Sequence, residues 1–275
     1  YLVIDKKTEQ LYVRKDFYSI DYNDKKKSFI DIDREEELRL HMNANNKPMF
    51  VNFYSYSFNK VKETLSLIFE KSGEKESLQS LLNTIHKGFC PYHFNDTCKQ
   101  IILIGIAFGM KYISDCGMDG ILISPSKILL DENFHPKINC SHIISINHWY
   151  NRFYIDDKEY YAPEFIYDDF EKTNVYSFAL IMYEIVTGSI PFEEYNYERV
   201  NFNIFFERIR KGMRPEFNEP INDSIKNLIC KCWSNDPKQR PSFKKIFRKL
   251  AYNEKYYLDD VHVSELMDYV DEITS

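Results

Sequence analysis

The chain has 275 residues, of which 44% are hydrophobic and 28% charged, and its formal net charge is -6. That size suits one large domain or two unequal lobes with a sizeable core. The acidic balance argues against a nucleic-acid footprint, which needs a basic field.

In chain order, "YLVIDKKTEQLYVRKDFY" alternates apolar and polar residues on both sides of a polar turn, which predicts a β-hairpin. "FIDIDREEELRLHM" repeats Ile32, Leu38 and Met42 near helical spacing among many charges, predicting a surface helix. "MFVNFYSYSF" and "TLSLIFE" read as two further strands. From Ser77 the pattern becomes helical, first in "SLQSLLNTI" and then in "DTCKQIILIGIAFGMKYIS". The second segment is apolar on most faces and is expected to be buried. Its stretch "IILIGIAFGM" is too short to span a bilayer. A short hairpin at "KILLDENFHPKI" follows, and then "NVYSFALIMYEIVTG", which ends on Gly188 as a C-cap. "NFNIFFERIRKG", "SIKNLICKCW" and "SFKKIFRKL" complete the helical part. The tail "YYLDDVHVSELMDYVDEITS" carries an apolar stripe of Val263, Leu266, Met267, Val270 and Ile273, expected to pack back on the body of the chain. A partner-binding helix is the competing reading of that tail.

Cys90, Cys98, Cys116, Cys140, Cys230 and Cys232 form no CxxC pair, and the histidines do not cluster beside them, so no zinc site is expected. The cysteine usage suits a reducing, cytoplasmic location. Residue 1 is Tyr inside a strand-like pattern, so the natural N-terminus is expected to lie upstream, and no targeting signal can be read.

Three segments occur in fixed order: "YYAPEF" (160–165), "NVYSFALIMYEIVTGSIPF" (174–192) and "CWSNDPKQRPSF" (232–243). Together they resemble the second half of a eukaryotic protein kinase domain, nearest in flavour to the tyrosine-kinase-like group, with Ala162-Pro163-Glu164 as the family's Ala-Pro-Glu triplet. The resemblance covers nearly all of residues 1–250. It implies an α+β, bilobal fold, with a small β-rich lobe over residues 1–71, a larger helical lobe over 72–250 and an acidic helical tail over 251–275. It also implies a buried ion pair between Glu164 and Arg240, with Trp233 as a structural neighbour. Lys15 becomes the counterpart of the phosphate-holding lysine. Its helix partner falls on Glu37, with Glu35 and Glu36 competing. Phe69 takes the gatekeeper position, Glu70 to Ser72 face the adenine edge, and Val13 and Leu129 flank the same pocket. The strand and loop rich in glycine that open such domains would precede Tyr1.

The resemblance also marks departures. Aligning Pro125 and Ile128-Leu129-Leu130-Asp131 on the family's catalytic loop puts Gly120, Ile121 and Leu122 where His, Arg and Asp belong. Ser124 then stands for the loop's Lys, Lys127 for the metal-binding Asn, and Cys140-Ser141-His142 for Asp-Phe-Gly. Leu122 cannot accept a proton, and a positioned base contributes about 10²–10⁴ in rate. Lys127 and Cys140 remove both protein anchors for magnesium, so no metal site is expected, and Ile121 cannot pair with an activation-loop phosphate. Gly120 and Ser141 leave a core column between the lobes largely empty, which predicts a loose junction. Asn174 replaces an Asp that supports the catalytic loop and keeps some of its hydrogen-bonding capacity. These departures imply a pseudokinase that acts by binding protein partners, an active kinase among the candidates, as scaffold or allosteric regulator. ATP remains an open ligand, held without tight magnesium if it binds; the rival reading is a kinase of atypical mechanism.

Overall fold

The computed structural model describes residues 1–18, 42, 45, 47–59, 61, 64–71, 77–117, 122–140, 157–164, 169–195 and 201–275. Strands β1 (Leu2–Ile4) and β2 (Leu11–Tyr18) form the expected hairpin. Its turn closes through the Asp5 backbone N–H donating to the Gln10 carbonyl at 2.9 Å, while the Asp5 carboxylate accepts from the Lys7 N–H at 2.7 Å. Strands β3 (Phe53–Asn59) and β4 (Thr64–Glu70) complete an antiparallel sheet of order β1-β2-β4-β3. β4 is central and nearly fully buried, as its run "TLSLIF" suggests; Leu65, Leu67 and Phe69 join Val51 and Phe53 in the small lobe's own core.

Residues 49–51, expected to begin β3, do something else, whereas the Asn52 carbonyl already accepts from the Glu70 N–H of β4 at 2.9 Å. Ile138 donates its N–H to the Met49 carbonyl at 2.8 Å and accepts from the Val51 N–H at 3.2 Å. The segment therefore pairs with the large lobe, and the sheet strand begins only at Phe53. Met49 and Phe50 are both 1% exposed there, so this part of the junction is closed. Gly109 permits the approach: a Cβ would stand 2.6 Å from Ile138 Cδ1. The expected loose junction rested on Gly120 and Ser141, which lie outside the described residues, as does the predicted helix around Ile32 and Leu38.

The larger lobe is helical: α1 (Leu78–His86), α2 (Asp96–Asp115), α3 (Phe170–Thr187), α4 (Phe202–Arg210), α5 (Asp223–Cys232), α6 (Phe243–Tyr252) and α7 (Val263–Thr274). The hairpin β5 (Ile128–Leu130) and β6 (Pro136–Ile138) lies against α2. Local chemistry sets the helix ends. Asn95 and Asp169 side chains accept from the Cys98 and Lys172 N–H groups, and Gly188 closes α3 with φ +68°. α2 and α3 are buried on most faces because the other helices pack round them.

The tail helix α7 packs on α2, as its stripe predicts, with one adjustment. Val263 is 46% exposed, whereas Tyr269, absent from the stripe, is 4% exposed and fills the space over Gly105. Among the described residues, no helix is long and apolar enough to cross a membrane.

Candidate functional site

The upper wall of the junction between the lobes comes from β2 and β4. Their register pairs Val13 with Phe69 and Lys15 with Leu67. Cross-strand partners point to the same side of a sheet, so these four residues share one face. Leu129 of β5 packs against the same small-lobe cluster from below. The fold thus brings Val13, Lys15, Phe69 and Leu129 to a common junction, with Val13 38% exposed and Phe69 edge-on to Phe53 at 5.7 Å. Glu70 is tied down: it accepts from Asn52 Nδ2 at 2.7 Å and lies 3.9 Å from Lys137 Nζ of β6. Glu37, its rivals Glu35 and Glu36, and Ser72 lie outside the described residues.

The lower wall runs through 122–140. Leu122 is 6% exposed and belongs to the large lobe's apolar core, with Ile123 fully buried beside it. Asn174 of α3 holds this stretch: its Oδ1 accepts from the Ile123 N–H and its Nδ2 donates to the Phe170 carbonyl, both at 2.9 Å. Lys127 ends a short turn that begins at Pro125, and its carbonyl accepts from the Asn139 N–H at 2.8 Å. Cys140 is buried, and desolvation pushes its thiol up to about 12. It therefore stays a neutral thiol at physiological pH and cannot act as a thiolate. Among the described residues, no group of three His, Cys, Asp or Glu side chains could hold a metal ion.

One carboxylate approaches from elsewhere. Asp157, in the left-handed region at φ 59°, accepts on Oδ2 from Ser124 Oγ at 2.6 Å and from Ser126 Oγ. Reading the sequence missed it because Asp157 lies more than thirty positions from the serines it meets.

The protein kinase domain model matches residues 1–250. This chain belongs to the protein kinase domain family. Among curated relatives, it is similar to the probable serine/threonine-protein kinase roco7 of Dictyostelium discoideum, 40% identical over 35% of the chain and 4% of that protein. It is also similar to a protein kinase and PP2C-like domain-containing protein of Oryza sativa subsp. japonica, 28% identical over 59% of the chain and 30% of that protein. A third, the dual specificity protein kinase pyk3 of Dictyostelium discoideum, is 45% identical over 29% of the chain and 6% of its own length. The chain thus spans less than a third of each of these relatives.

In this kinase domain the late scaffold is fully assembled. Arg240 has a side chain with no exposure and forms a fork to both Glu164 oxygens, with Nη2 to Oε2 at 2.9 Å. Its remaining donors reach the carbonyls of Ser234 and Lys172, each at 2.9 Å. Sequence reading missed two partners. The Tyr176 ring lies 5.1 Å from the Arg240 guanidinium carbon and 5.0 Å from that of Arg214. Arg214 in turn donates to the carbonyl of Trp233 at 2.9 and 2.7 Å, so the expected structural Trp acts through its backbone as well as its ring.

A second buried cluster went unread. Glu184 of α3 is 1% exposed and accepts from Tyr160, next to the Ala-Pro-Glu triplet, while His86 Nε2 of α1 lies 3.6 Å away. A Glu set among apolar residues in "LIMYEIV" was the available signal. Burial raises Glu184 to about 8 and lowers His86, so both are neutral near pH 7 and their contact is not an ion pair. The signs are opposed. Folded Glu184 keeps a proton that the unfolded chain releases above 4.5, so its effect is falling stability as pH rises towards 8. Neutral His86 gives the opposite slope only below 6.5. Between pH 6.5 and 8 Glu184 acts without that opposition, and stability is expected to fall by about 2 kcal/mol. Glu184→Gln retains an acceptor for Tyr160 and should abolish most of that fall in thermal melts across the window.

Proposed function

We propose that this kinase-fold domain is a pseudokinase that does not transfer phosphate and acts by binding protein partners, as a scaffold or allosteric regulator. The observation that carries this reading is the burial of Leu122 in the apolar core at the place the resemblance assigns to the proton-accepting Asp. Lys127 and buried Cys140 at the two metal positions support it, since neither offers an oxygen ligand to magnesium. The intact Glu164–Arg240 fork shows what is retained: the parts that hold the larger lobe together.

Nucleotide is a separate matter. Lys15 stands on the face shared with Phe69, while Lys127 and Cys140 occupy the positions that the resemblance assigns to the magnesium anchors. Any response to millimolar ATP in a thermal-shift titration is therefore expected not to grow when magnesium is added. A shift that requires magnesium would contradict the assignment of Lys127 and Cys140.

The rival, an atypical active kinase, has one observation in its favour: the Asp157 carboxylate beside Ser124. Its Oδ2 already accepts two hydroxyl protons, which a catalytic base would have to give up. A phosphotransfer assay on the purified domain separates the readings. Wild type, Lys15→Met and Asp157→Asn are all expected at background. Incorporation that depends on Lys15 and on Asp157 would replace the binding module with an enzyme.

A further inference from the structure

A cavity of about 1270 Å³ opens on the larger lobe, away from the junction between the lobes. Its walls are α1, the loop into α2, the β5–β6 turn and the tail helix α7. We propose that this groove docks a short basic peptide segment with apolar anchors, presented by a partner protein.

Four observations support that occupant. The floor is apolar, formed by Leu81, Leu130, Phe134 and the ring of Tyr269. The rim is acidic: Glu265, Asp268 and Glu272 are spaced along one face of α7, and among the described residues no lysine or arginine lines the groove. Such a stripe of like charge is unfavourable to the helix on its own and is relieved by cationic groups. The volume exceeds the range of about 300–1000 Å³ usual for small-molecule sites and suits several residues of peptide. Finally, Tyr92 stands 95% exposed at the edge, a flat aromatic face of the kind on which an arginine guanidinium stacks.

Other occupants fit less well. Phosphate-bearing ligands would meet carboxylates on the rim. Among the described residues, no cluster suits a metal ion. An apolar segment without charge would leave the α7 stripe uncompensated. The proposal gives the binding reading a surface, yet peptide binding and phosphate transfer are measured separately, so failure of either is recognisable.

The test uses fluorescence anisotropy with a labelled peptide alternating arginine and leucine, and a second alternating glutamate and leucine. Two variants carry the same change in net charge: Asp268→Lys with Glu272→Lys in the groove, and Glu219→Lys with Glu254→Lys outside it. All four side chains are exposed, and melting curves confirm that both variants fold. The expected result is saturable binding of the arginine peptide alone, weakened about tenfold or more by the groove variant and much less by the control variant. Tyr92→Ala should weaken it as well. Equal binding of the glutamate peptide, equal losses in both variants, or no saturation by millimolar protein would each overturn the proposal. So would self-association that the groove variant abolishes, since the occupant would then be a second copy of this chain.

Discussion

Replacing Arg240 by methionine is expected to destabilise the domain by about 3–5 kcal/mol, since breaking a buried ion pair strands the remaining charge. The Arg240 side chain has no exposure, and it joins three otherwise separate pieces: Glu164 of the Ala-Pro-Glu triplet, the α3 start at Lys172, and Ser234 just after α5. Its loss leaves two carbonyls short of a donor and removes one of the two cations over the Tyr176 ring, whose hydroxyl has no partner among the described residues. For a domain of this size, the melting temperature should fall by about 10 °C. The decisive control is Glu164→Met with Arg240→Met together. An apolar pair can replace a buried ionic one at little cost, so the double variant should melt above the sum of the two single losses. Strict additivity would mean that the pair is not coupled in the folded chain.

Removing residues after Asn253 should have a comparable or larger effect. Leu266 and Val270 have no exposure and Tyr269 and Ile273 have 4%, all against the body of the larger lobe. The same deletion takes the Tyr256 carbonyl and the Leu258 N–H from the buried side chain of Gln100, leaving it only the Leu250 carbonyl at 3.0 Å. It also uncovers Gly105, whose missing Cβ makes the room that the Tyr269 hydroxyl occupies. The shortened domain is expected to melt about 10 °C lower or to precipitate. Leu266→Ala provides a milder measure, with an expected cost of about 2–5 kcal/mol. If both melt with the full chain, α7 contributes nothing to the fold in solution.

Much of the architecture was legible because its determinants are local. The hairpin at 1–18, the strand at Thr64–Glu70 and the helices α1 to α7 follow from period, caps and turn residues that lie close in sequence. The failures have a common cause. Residues 49–51 read as strand because they are apolar and extended, but their hydrogen-bonding partner is Ile138, far along the chain. Val263 fits the stripe of α7 by spacing and is nevertheless half exposed, at the first turn of that helix.

The sequence by itself determined the bilobal fold class, the order of the elements and which side chains stand at 122, 127 and 140, since identity and order are properties of a one-dimensional string. Tertiary structure alone decided what those side chains experience: Leu122 joins a core, Cys140 loses its water, Asn174 catches the Ile123 amide. It alone brought Asp157 to Ser124 and Glu184 to Tyr160 and His86. Burial and long-range hydrogen bonds depend on where distant segments meet, and that meeting is set by the packing of whole helices, not by the spacing of neighbouring residues.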